Sequence, residues 1–233
     1  DGCSILSTLY IPKIAVIGLG LIGCSWVKAL KLAHCVGSVS GFDRNLDSME
    51  QALEVGLIDA YSLDIKEVVQ NADLVIISVP ILAVAEVLEQ IKDSLLATAI
   101  LTDVGSVKGN IAKAVTQVLG EDFDRFVLGH PIAGSERSGV SAADEHLFKN
   151  HKIILTPEKR TGRAAIDLVS DAWAITGGKV ELMKVIGTDS GSTMRGAARR
   201  CLRSNNTPKA PISMTKLNSA QALTTMTTSR SRG

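Results

Sequence analysis

Strand-like and helix-like segments alternate along the first 186 residues of this 233-residue chain, and that alternation constrains the fold more than any other feature. Residues 13–17 (KIAVI) are a short β-branched run, the pattern of a strand that is buried on both faces. Residues 21–33 follow with apolar side chains at helical spacing. Because strands that alternate with helices form parallel sheets covered on both faces, the sequence predicts an α/β fold with a doubly wound, mostly parallel sheet.

The other predicted elements continue the same order. Asn45 is a suitable N-cap for a helix that runs to about Val55, and Asp64 with Glu67 fits a capping box for another short helix. The alternation predicts that all of the strands join one sheet. Further helices are expected at about 82–95, 110–119 and 163–175, and further strands at 38–42, 73–79, 99–103, 126–128, 152–156 and 179–183.

The last 47 residues differ from the rest of the chain. Fifteen of them are Ser or Thr, and they hold eight Lys or Arg but one acidic residue, which leaves 17 basic and 23 acidic residues before them. A segment with so few apolar residues buries too little surface to offset its ordering entropy. We predict an N-terminal extension at 1–11, an α/β domain at 12–186 and a disordered tail at 187–233.

Charge, hydropathy and cysteine usage exclude several classes of function. The acidic residues in excess over 1–186 disfavour nucleic acid as the main partner, and the basic tail lacks the interleaved aromatic residues of a nucleic-acid arm. No apolar run approaches the roughly 18 residues of a membrane helix. The four cysteines form no CxxC pair and no metal-binding spacing with the four histidines, which indicates reduced thiols in a cytoplasmic protein that binds no metal.

A glycine motif joins the first predicted strand to the first predicted helix. Gly18, Gly20 and Gly23 form the pattern GxGxxG in the segment GLGLIG. In this position the first glycine permits a tight turn, the second lets the backbone approach a pyrophosphate, and the third lets helix and strand pack closely. The motif predicts a Rossmann-type dinucleotide-binding domain, with a glycine turn that binds no ligand as the alternative. The intervening residues, expected to contact the cofactor as well, are Leu19, Leu21 and Ile22.

The residue type at the end of the second predicted strand bears on the choice of cofactor. Asp43 stands there, 20 residues after Gly23. A carboxylate in this position accepts hydrogen bonds from the ribose hydroxyls of NAD and repels the 2′-phosphate of NADP, whereas the adjacent Arg44 favours that phosphate. We predict NAD as the cofactor, with NADP as the alternative. Further cofactor contacts are expected where two later strands end, at Ser78, Val79, Pro80 and Asp103.

Two later segments bring polar side chains to the same sheet edge. DVGSVKG places Ser106 and Lys108 after the strand at 99–103, and GHPIAGSE places His130 after the strand at 126–128. Because ligands of open α/β sheets bind at the carboxyl ends of the strands, we expect Ser106 and His130 to meet over the nicotinamide. Taken singly, Ser106 also fits a helix N-cap and His130 a turn histidine. The other histidines, expected on the surface, are His34, His146 and His151.

The segments GLGLIG, DVGSVKG and GHPIAGSERSG, at these intervals, resemble the prephenate/arogenate dehydrogenase family over about residues 12–186. The resemblance implies NAD-dependent oxidative decarboxylation of prephenate to 4-hydroxyphenylpyruvate, a step of tyrosine biosynthesis. It implies that His130 hydrogen-bonds the ring hydroxyl of the substrate and accepts its proton, and that Ser106 orients both. An imidazole with a pKa near roughly 6.5 suits such a base. Ser135 and Glu136 match residues that line the substrate entrance.

The resemblance ends at Ile186. Members of the family continue into a helical domain that forms a homodimer, opens with an SHLPH-like stretch and supplies arginines that hold the substrate carboxylates. Residues 187–233 contain no such stretch, and we interpret them as the result of a truncation or a change of reading frame. Since the chain also begins at Asp1 rather than Met, we expect a fragment that binds NAD with weak or absent dehydrogenase activity.

Three other functions stay open at this point. The residues that distinguish prephenate from arogenate come largely from the helical domain, so arogenate stays open as the alternative substrate. A β-hydroxyacid dehydrogenase or an imine reductase shares the GLGxxG start, although such enzymes usually carry a catalytic lysine on a later helix. A nucleotide-binding regulatory module without chemistry is the third alternative.

Overall fold

The computed structural model describes residues 9–134, 136 and 138–183, all within the unit Asp1–Ile186. Six of its strands form a sheet in which every neighbouring pair is parallel. These strands are β1 (Ile11–Ile17), β2 (Val36–Phe42), β3 (Ala60–Tyr61), β4 (Leu74–Ile77), β5 (Ile100–Asp103) and β6 (Phe126–Val127). Their order across the sheet is β3-β2-β1-β4-β5-β6, so the predicted doubly wound parallel sheet is confirmed.

Helices cover both faces of this sheet. They are α1 (Leu21–Leu32), α2 (Leu46–Glu54), α3 (Ile65–Val69), α4 (Val84–Ile91), α5 (Lys108–Leu119) and α6 (Arg163–Ala174), with single 3₁₀ turns at 81–83, 92–94 and 140–142. Most bounds lie within about two residues of the predicted ones. The predicted helix at 82–95 is shorter, because 3₁₀ turns replace both of its ends.

Side chains of β1 alternate between the two faces, as a strand buried on both sides requires. Ile14 and Val16 belong to a core shared with α1, α2 and α6, whereas Ala15 and Ile17 belong to a core shared with α3, α4 and α5. All four side chains are buried. The two apolar layers therefore fix the sheet between its helices, and the edge at which the strands end is left for ligands.

Helix caps are formed by the predicted residues, with one difference. Asn45 accepts a hydrogen bond from the backbone N–H of Asp47 at the start of α2. Asp64 accepts one from the N–H of Lys66 and so caps α3. The prediction that Glu67 completes a capping box is wrong. Its carboxylate accepts from the hydroxyl of Ser62 at 2.6 Å. The N–H of Asp64, which a capping box would bond to Glu67, donates to the same hydroxyl.

Three strands form a second, separate sheet, so the prediction of one sheet was wrong. They are β7 (Gly129–Pro131), β8 (Lys152–Leu155) and β9 (Lys179–Leu182). β7 runs antiparallel to β8, and β8 runs parallel to β9. The sequence predicted β8 and β9 but not β7, because a three-residue strand that contains Gly and Pro has no periodicity to detect.

An aromatic stack joins α6, the helix between β8 and β9, to α1, the helix between β1 and β2. Trp173 of α6 lies 3.6 Å from Trp26 of α1, centroid to centroid, with the rings 10° from parallel. Phe148 contacts the edge of Trp173 at 5.0 Å. The indole N–H of Trp26 donates to the carbonyl oxygen of Ala172 at 3.2 Å. Both tryptophans are fully buried, so α1 and α6 share one core.

Residues 1–8 and the predicted disordered tail at 187–233 lie outside the described residues, so the expected extension and tail stay predictions. Within the part of the chain that the structure describes, none of the helices is long and apolar enough to cross a membrane.

Candidate active site

The glycine turn after β1 is built against the end of β4. Gly18 has a φ of +93°, and a Cβ added to it would lie 2.4 Å from the carbonyl oxygen of Ser78. A Cβ on Gly23 would lie 2.9 Å from the Cβ of Ser78. Contacts this short require displacement of the backbone or of α1. The geometry therefore accounts for the two predicted roles, a tight turn at Gly18 and close helix packing at Gly23.

Gly20 has a different environment, because a Cβ at this position would meet no atom within 4 Å. Gly20 is the N-cap of α1, a helix that lies wholly within the described residues and has neither a side-chain cap nor an acidic residue in its first turn. Its N-terminal N–H groups are thus not capped by a side chain, and no acidic residue of the helix itself lies in the first turn. The open surface and the uncapped helix end fit the pyrophosphate of a dinucleotide.

Asp43 fixes the end of β2 to this turn. One oxygen of its carboxylate accepts from the N–H of Leu19 at 2.7 Å, and the other accepts from the N–H of Asn45 at 2.9 Å. A carboxylate oxygen has two acceptor positions, so each oxygen of Asp43 retains capacity for a ribose hydroxyl. The neighbouring Arg44 extends instead to Glu86 of α4, with the guanidinium nitrogen 3.2 Å from the carboxylate oxygen.

The turn lies where the strand order reverses. β2 and β3 lie on one side of β1, and β4, β5 and β6 lie on the other. Ser78, Val79 and Pro80 follow β4 directly and therefore border the crevice beside the glycine turn. The N–H of Ser78 donates to the carbonyl oxygen of Ile17 at 2.7 Å, which holds the two strand ends together. Such a switch point is the usual ligand site of open α/β sheets.

A buried ion pair closes the carboxyl end of β5. The ammonium group of Lys108 donates to the Asp103 carboxylate at 2.6 Å, and the two side chains are 9% and 1% exposed. The same carboxylate accepts from the N–H groups of Gly105 at 2.8 Å and of Gly129 at 3.2 Å. Lys108 also donates to the carbonyl oxygen of Gly129. Asp103 was predicted to contact the cofactor; its burial favours contacts within the protein instead.

Burial favours the neutral form of both Asp103 and Lys108. It raises the pKa of Asp103, against the opposing effect of the Lys108 cation and of the backbone donors. It lowers the pKa of Lys108, against the opposing effect of the Asp103 carboxylate. The short contact and the additional N–H donors favour a charged, hydrogen-bonded pair.

His130 lies in the middle of β7, opposite Ile154 of β8, and is half-buried. Burial, and secondly the Lys108 cation, lower the pKa of its imidazole. His130 is therefore neutral at pH values above that lowered pKa, the form that accepts a proton. As predicted, it follows β6 of the first sheet, but it is itself part of a strand of the second sheet. The backbone of Gly129 nevertheless keeps it beside the carboxyl end of β5.

Ser106 is exposed in the loop between β5 and α5. Its interpretation as a helix N-cap is wrong, because α5 has Val107 at the N-cap position and no side-chain cap. Both ends of this loop contact Gly129, the neighbour of His130, through Asp103 and Lys108. Of the predicted entrance residues, Glu136 is exposed and Ser135 lies outside the described residues. The roles assigned to all of these residues stay predictions.

The sequence of the domain matches a known family. Residues 27–182 match the family model described as the nucleotide-binding domain of prephenate dehydrogenase. The chain belongs to the prephenate dehydrogenase family. This membership separates it from the β-hydroxyacid dehydrogenases and imine reductases that the glycine motif alone left open.

Three similar proteins show how much of such an enzyme the chain represents. The cyclohexadienyl dehydrogenase of Zymomonas mobilis subsp. mobilis is 37% identical over 171 residues, which cover 73% of this chain and 57% of that protein. The prephenate dehydrogenase of Lactococcus lactis subsp. cremoris is 40% identical over 154 residues, which cover 64% and 42%. The crystal structure of prephenate dehydrogenase from A. aeolicus with hydroxyphenyl propionate and NAD⁺ has a TM-score of 0.70 and 35% identity, covering 76% of this chain and 61% of that one. The chain thus spans about half the length of these relatives.

The sequence of this prephenate dehydrogenase family member places Lys108 at the carboxyl edge of the sheet, but it does not indicate a role for this residue. One signal was available. Lys108 is the first residue of α5, where a cation opposes the positive end of the helix dipole, so an unusual partner was to be expected. Its burial against Asp103 is a tertiary property that no local pattern reveals.

The three other histidines are exposed, as predicted. Among residues 9–134, 136 and 138–183, no cluster of three or more His, Cys, Asp or Glu is arranged to hold a metal ion. Cys24 and Cys35 are both buried and free, and burial, with a smaller effect of Asp43, raises the pKa of Cys24 to about 12. Cys24 is therefore a core residue rather than a nucleophile.

Proposed function

We propose that this domain binds NAD and contributes the proton-accepting histidine of a prephenate dehydrogenase. The observation that supports this most directly is a half-buried His130, with its pKa lowered, held beside the carboxyl end of β5 in a sheet whose switch point carries an open glycine turn. Neither feature alone specifies a dehydrogenase. Their combination in one domain of this family supports both cofactor binding and the acid–base step.

The glycine turn and the first turn of α1 are the proposed pyrophosphate site, and Asp43 is the proposed partner of the ribose hydroxyls. When bound, the nicotinamide supplies the hydride acceptor for the reaction. We infer that NAD is preferred to NADP, because the Asp43 carboxylate repels a 2′-phosphate and the Arg44 guanidinium is already paired with Glu86. Ser78, Val79 and Pro80 border the crevice in which the nicotinamide half would lie.

In the proposed reaction, the neutral imidazole of His130 takes the proton of the substrate's ring hydroxyl. The C–H bond at the same carbon then breaks and its hydride is transferred, so that the alcohol carbon becomes a carbonyl. This carbonyl accepts the electrons of the bond between the ring and its carboxylate, carbon dioxide leaves, and the ring becomes aromatic. The phenolate oxygen then takes the proton back from His130. Ser106 is proposed to orient the hydroxyl, and Ser135 and Glu136 to line the entrance.

This chemistry specifies a cyclohexadienol substrate with a ring carboxylate, but it does not specify the side chain of that substrate. Prephenate and arogenate share the cyclohexadienol ring with its carboxylate and differ in a pyruvyl or an alanyl side chain remote from the reacting carbon. We propose prephenate, the compound for which the family is named, with arogenate as the second candidate. Because the chain spans 57% or less of the two sequence relatives, the activity of the whole enzyme, its homodimer and its cytoplasmic location are proposals as well.

Titration of the purified chain with NAD and NADP, followed by fluorescence or calorimetry, tests the cofactor site. We expect binding of NAD with a lower Kd than NADP. NADH formation is then measured with prephenate, arogenate and a panel of hydroxy acids, at chain concentrations high enough to detect slow turnover. A chain that binds neither dinucleotide would contradict the proposal, as would oxidation of hydroxy acids in preference to both cyclohexadienols. Binding of NAD with weak or absent turnover is the outcome expected for this chain, and turnover at ordinary enzyme rates would contradict that expectation.

A further inference from the structure

We propose that Lys108 and Asp103 form a positioning clamp that holds β7 against the end of β5, and thereby sets His130 and Ser106 relative to each other. The clamp is defined by the two side chains and by the backbone of Gly105 and Gly129 that they contact. The role of the clamp in catalysis rests on the proposed function, whereas its contacts do not depend on that proposal.

The clamp joins segments that no strand pairing connects. β7 pairs with β8 in the second sheet, whereas Asp103 ends β5 in the first. Asp103 accepts the N–H of Gly129, and Lys108 donates to the carbonyl oxygen of the same residue, so both polar groups of the Gly129 backbone are held. The residue next in the chain is His130. A change at either side chain of the pair is therefore transmitted to the histidine within one residue.

Close packing at Gly129 makes this connection stiff. A Cβ on Gly129 would lie 2.7 Å from the carbonyl oxygen of Asp103, so any other residue would separate β7 from β5. Thr102 adds a buried hydrogen bond of 2.8 Å from its hydroxyl to the carbonyl oxygen of Val127. The chain on either side of Leu128 is thus bound to β5, and the start of β7 has little freedom to move.

The same two side chains also define the loop that carries Ser106. Asp103 precedes this loop and Lys108 follows it, and Asp103 accepts a further hydrogen bond from the N–H of Gly105 inside it. The loop is closed at its base by the ion pair of 2.6 Å. Ser106 is exposed, but it lies only three residues after Asp103 and two residues before Lys108, so both ends of its loop are fixed. Lys108 is a positioning residue in this scheme and not a catalytic one.

The charge of Lys108 has a second effect on His130. Among the described residues packed against β7, β5 presents Asp103, α5 presents Lys108, and β8 places the uncharged Ile154 opposite the imidazole. The Lys108 cation disfavours a second positive charge and lowers the pKa of His130. The clamp thus keeps the histidine in its proton-accepting form as well as in place.

A pair that neither held β7 nor placed its charge beside His130 would leave both the exchange of the Gly129 amide and the titration of His130 unchanged. The distinguishing experiment uses the Lys108→Met chain and follows the imidazole of His130 by NMR, with the signal assigned from the spectrum of His130→Gln. We expect the pKa of His130 to rise on substitution, because a nearby cation is removed. We also expect faster hydrogen exchange of the Gly129 amide, while amides of β1 keep their rates. Lys113→Met, an exposed lysine of the same helix, is the control and should change neither.

Removal of Lys108 leaves a buried carboxylate without its partner, which destabilises the fold strongly enough that the single variant is able to unfold the domain. The double variant Asp103→Asn/Lys108→Met removes both charges and serves if the single variant does not fold. An unchanged His130 pKa together with unchanged Gly129 exchange, in whichever variant folds, would overturn the clamp. Failure of the proposed function gives a different result. His130→Gln would then leave NADH formation unchanged, while Lys108→Met would still shift the pKa of His130. In that case the contacts stand, and their catalytic role is overturned.

Discussion

The six-stranded sheet and the three-stranded sheet build the two halves of the candidate site by different means. At the end of β1, the cofactor half depends on glycines that lie within six positions of one another, and each has a conformation or a contact that excludes a side chain or leaves space for a ligand. In β7, the proton-accepting half depends on His130, whose backbone neighbour is held by Lys108 and Asp103, 21 and 26 positions away. The glycines of the first half lie together in the sequence, whereas the position of His130 depends on residues far from it in the sequence.

This difference indicates how each half should respond to substitution. A change in the glycine turn should impair cofactor binding with little effect outside the turn. A change at the second sheet should alter turnover or global stability, because its strands are short and its position depends on packing against the first sheet. The following predictions test that division.

The largest effect is expected for His130→Gln. His130 is the proposed general base, so the slow NADH formation that the chain supports should fall by up to about 100- to 10,000-fold, to the detection limit, whereas the Kd for NAD should stay unchanged because the glycine turn is intact. Initial rates and NAD titration of the same preparation give both values, and His146→Gln, an exposed histidine, is the control. A parallel loss of NAD affinity would contradict the separation of the two halves.

Trp173→Ala tests whether the two sheets share one core. Trp173 is fully buried against Trp26 and Phe148, so its truncation should lower the free energy of unfolding by about 3–5 kcal/mol. Chemical denaturation followed by circular dichroism measures this, and Leu63→Ala, at a position 73% exposed, should change it by less than about 0.5 kcal/mol. We expect a single transition. Two separate transitions in the parent chain would show that the sheets unfold independently.

A matched glycine pair isolates the contact at the turn. Gly18 and Gly120 both have a φ of +93°, but only Gly18 has a neighbour where a Cβ would be placed. Alanine at either position should cost about 1–3 kcal/mol in backbone strain. Gly18→Ala should in addition weaken NAD binding, because the clash with Ser78 displaces the turn. Thermal unfolding and NAD titration separate the two effects, and equal Kd values for both variants would argue against the turn as the cofactor site.

The smallest effect is expected for Glu86→Gln, which releases Arg44. Since the pair is exposed and such pairs contribute about 0–1 kcal/mol, the affinity for NADP relative to NAD should rise by no more than about fivefold. Competitive titration measures the ratio. Glu89→Gln, which breaks the Lys92 pair on the same helix, should leave it unchanged. A fall in relative NADP affinity on Glu86→Gln would show that Arg44 does not reach the 2′-phosphate.

Much of the first sheet could be predicted because burial has a local signature. The alternation of β1 between two apolar layers appears in the sequence as a continuous β-branched run, and the positions of Gly18 and Gly23 follow from where that run ends. The caps at Asn45 and Asp64 were equally predictable, because a cap residue lies next to its helix. Glu67 was assigned the wrong partner because Ser62 competes for the same carboxylate, a choice decided by side-chain geometry.

The second sheet and the clamp could not be obtained in this way. Gly129, His130 and Pro131 have no periodicity, and their pairing with β8 joins residues more than 20 positions apart. His130 was identified from its place after a predicted strand and then from its resemblance to a family motif, which gave the residue but not the sheet to which it belongs. Lys108 was visible as a cation at a helix start, but its burial depends on Asp103 and on the backbone of Gly129.

The sequence by itself determined the α/β alternation, the glycine turn and the residue types available for cofactor and proton transfer, because these depend on neighbours within one strand or one helical turn. Only the tertiary structure decided that the late strands leave the first sheet, that α1 and α6 share a core, and that a buried charge pair holds the segment before the histidine. The physical reason is that the stability of a three-residue strand or a buried lysine comes from groups that are distant in sequence and meet only when the chain folds.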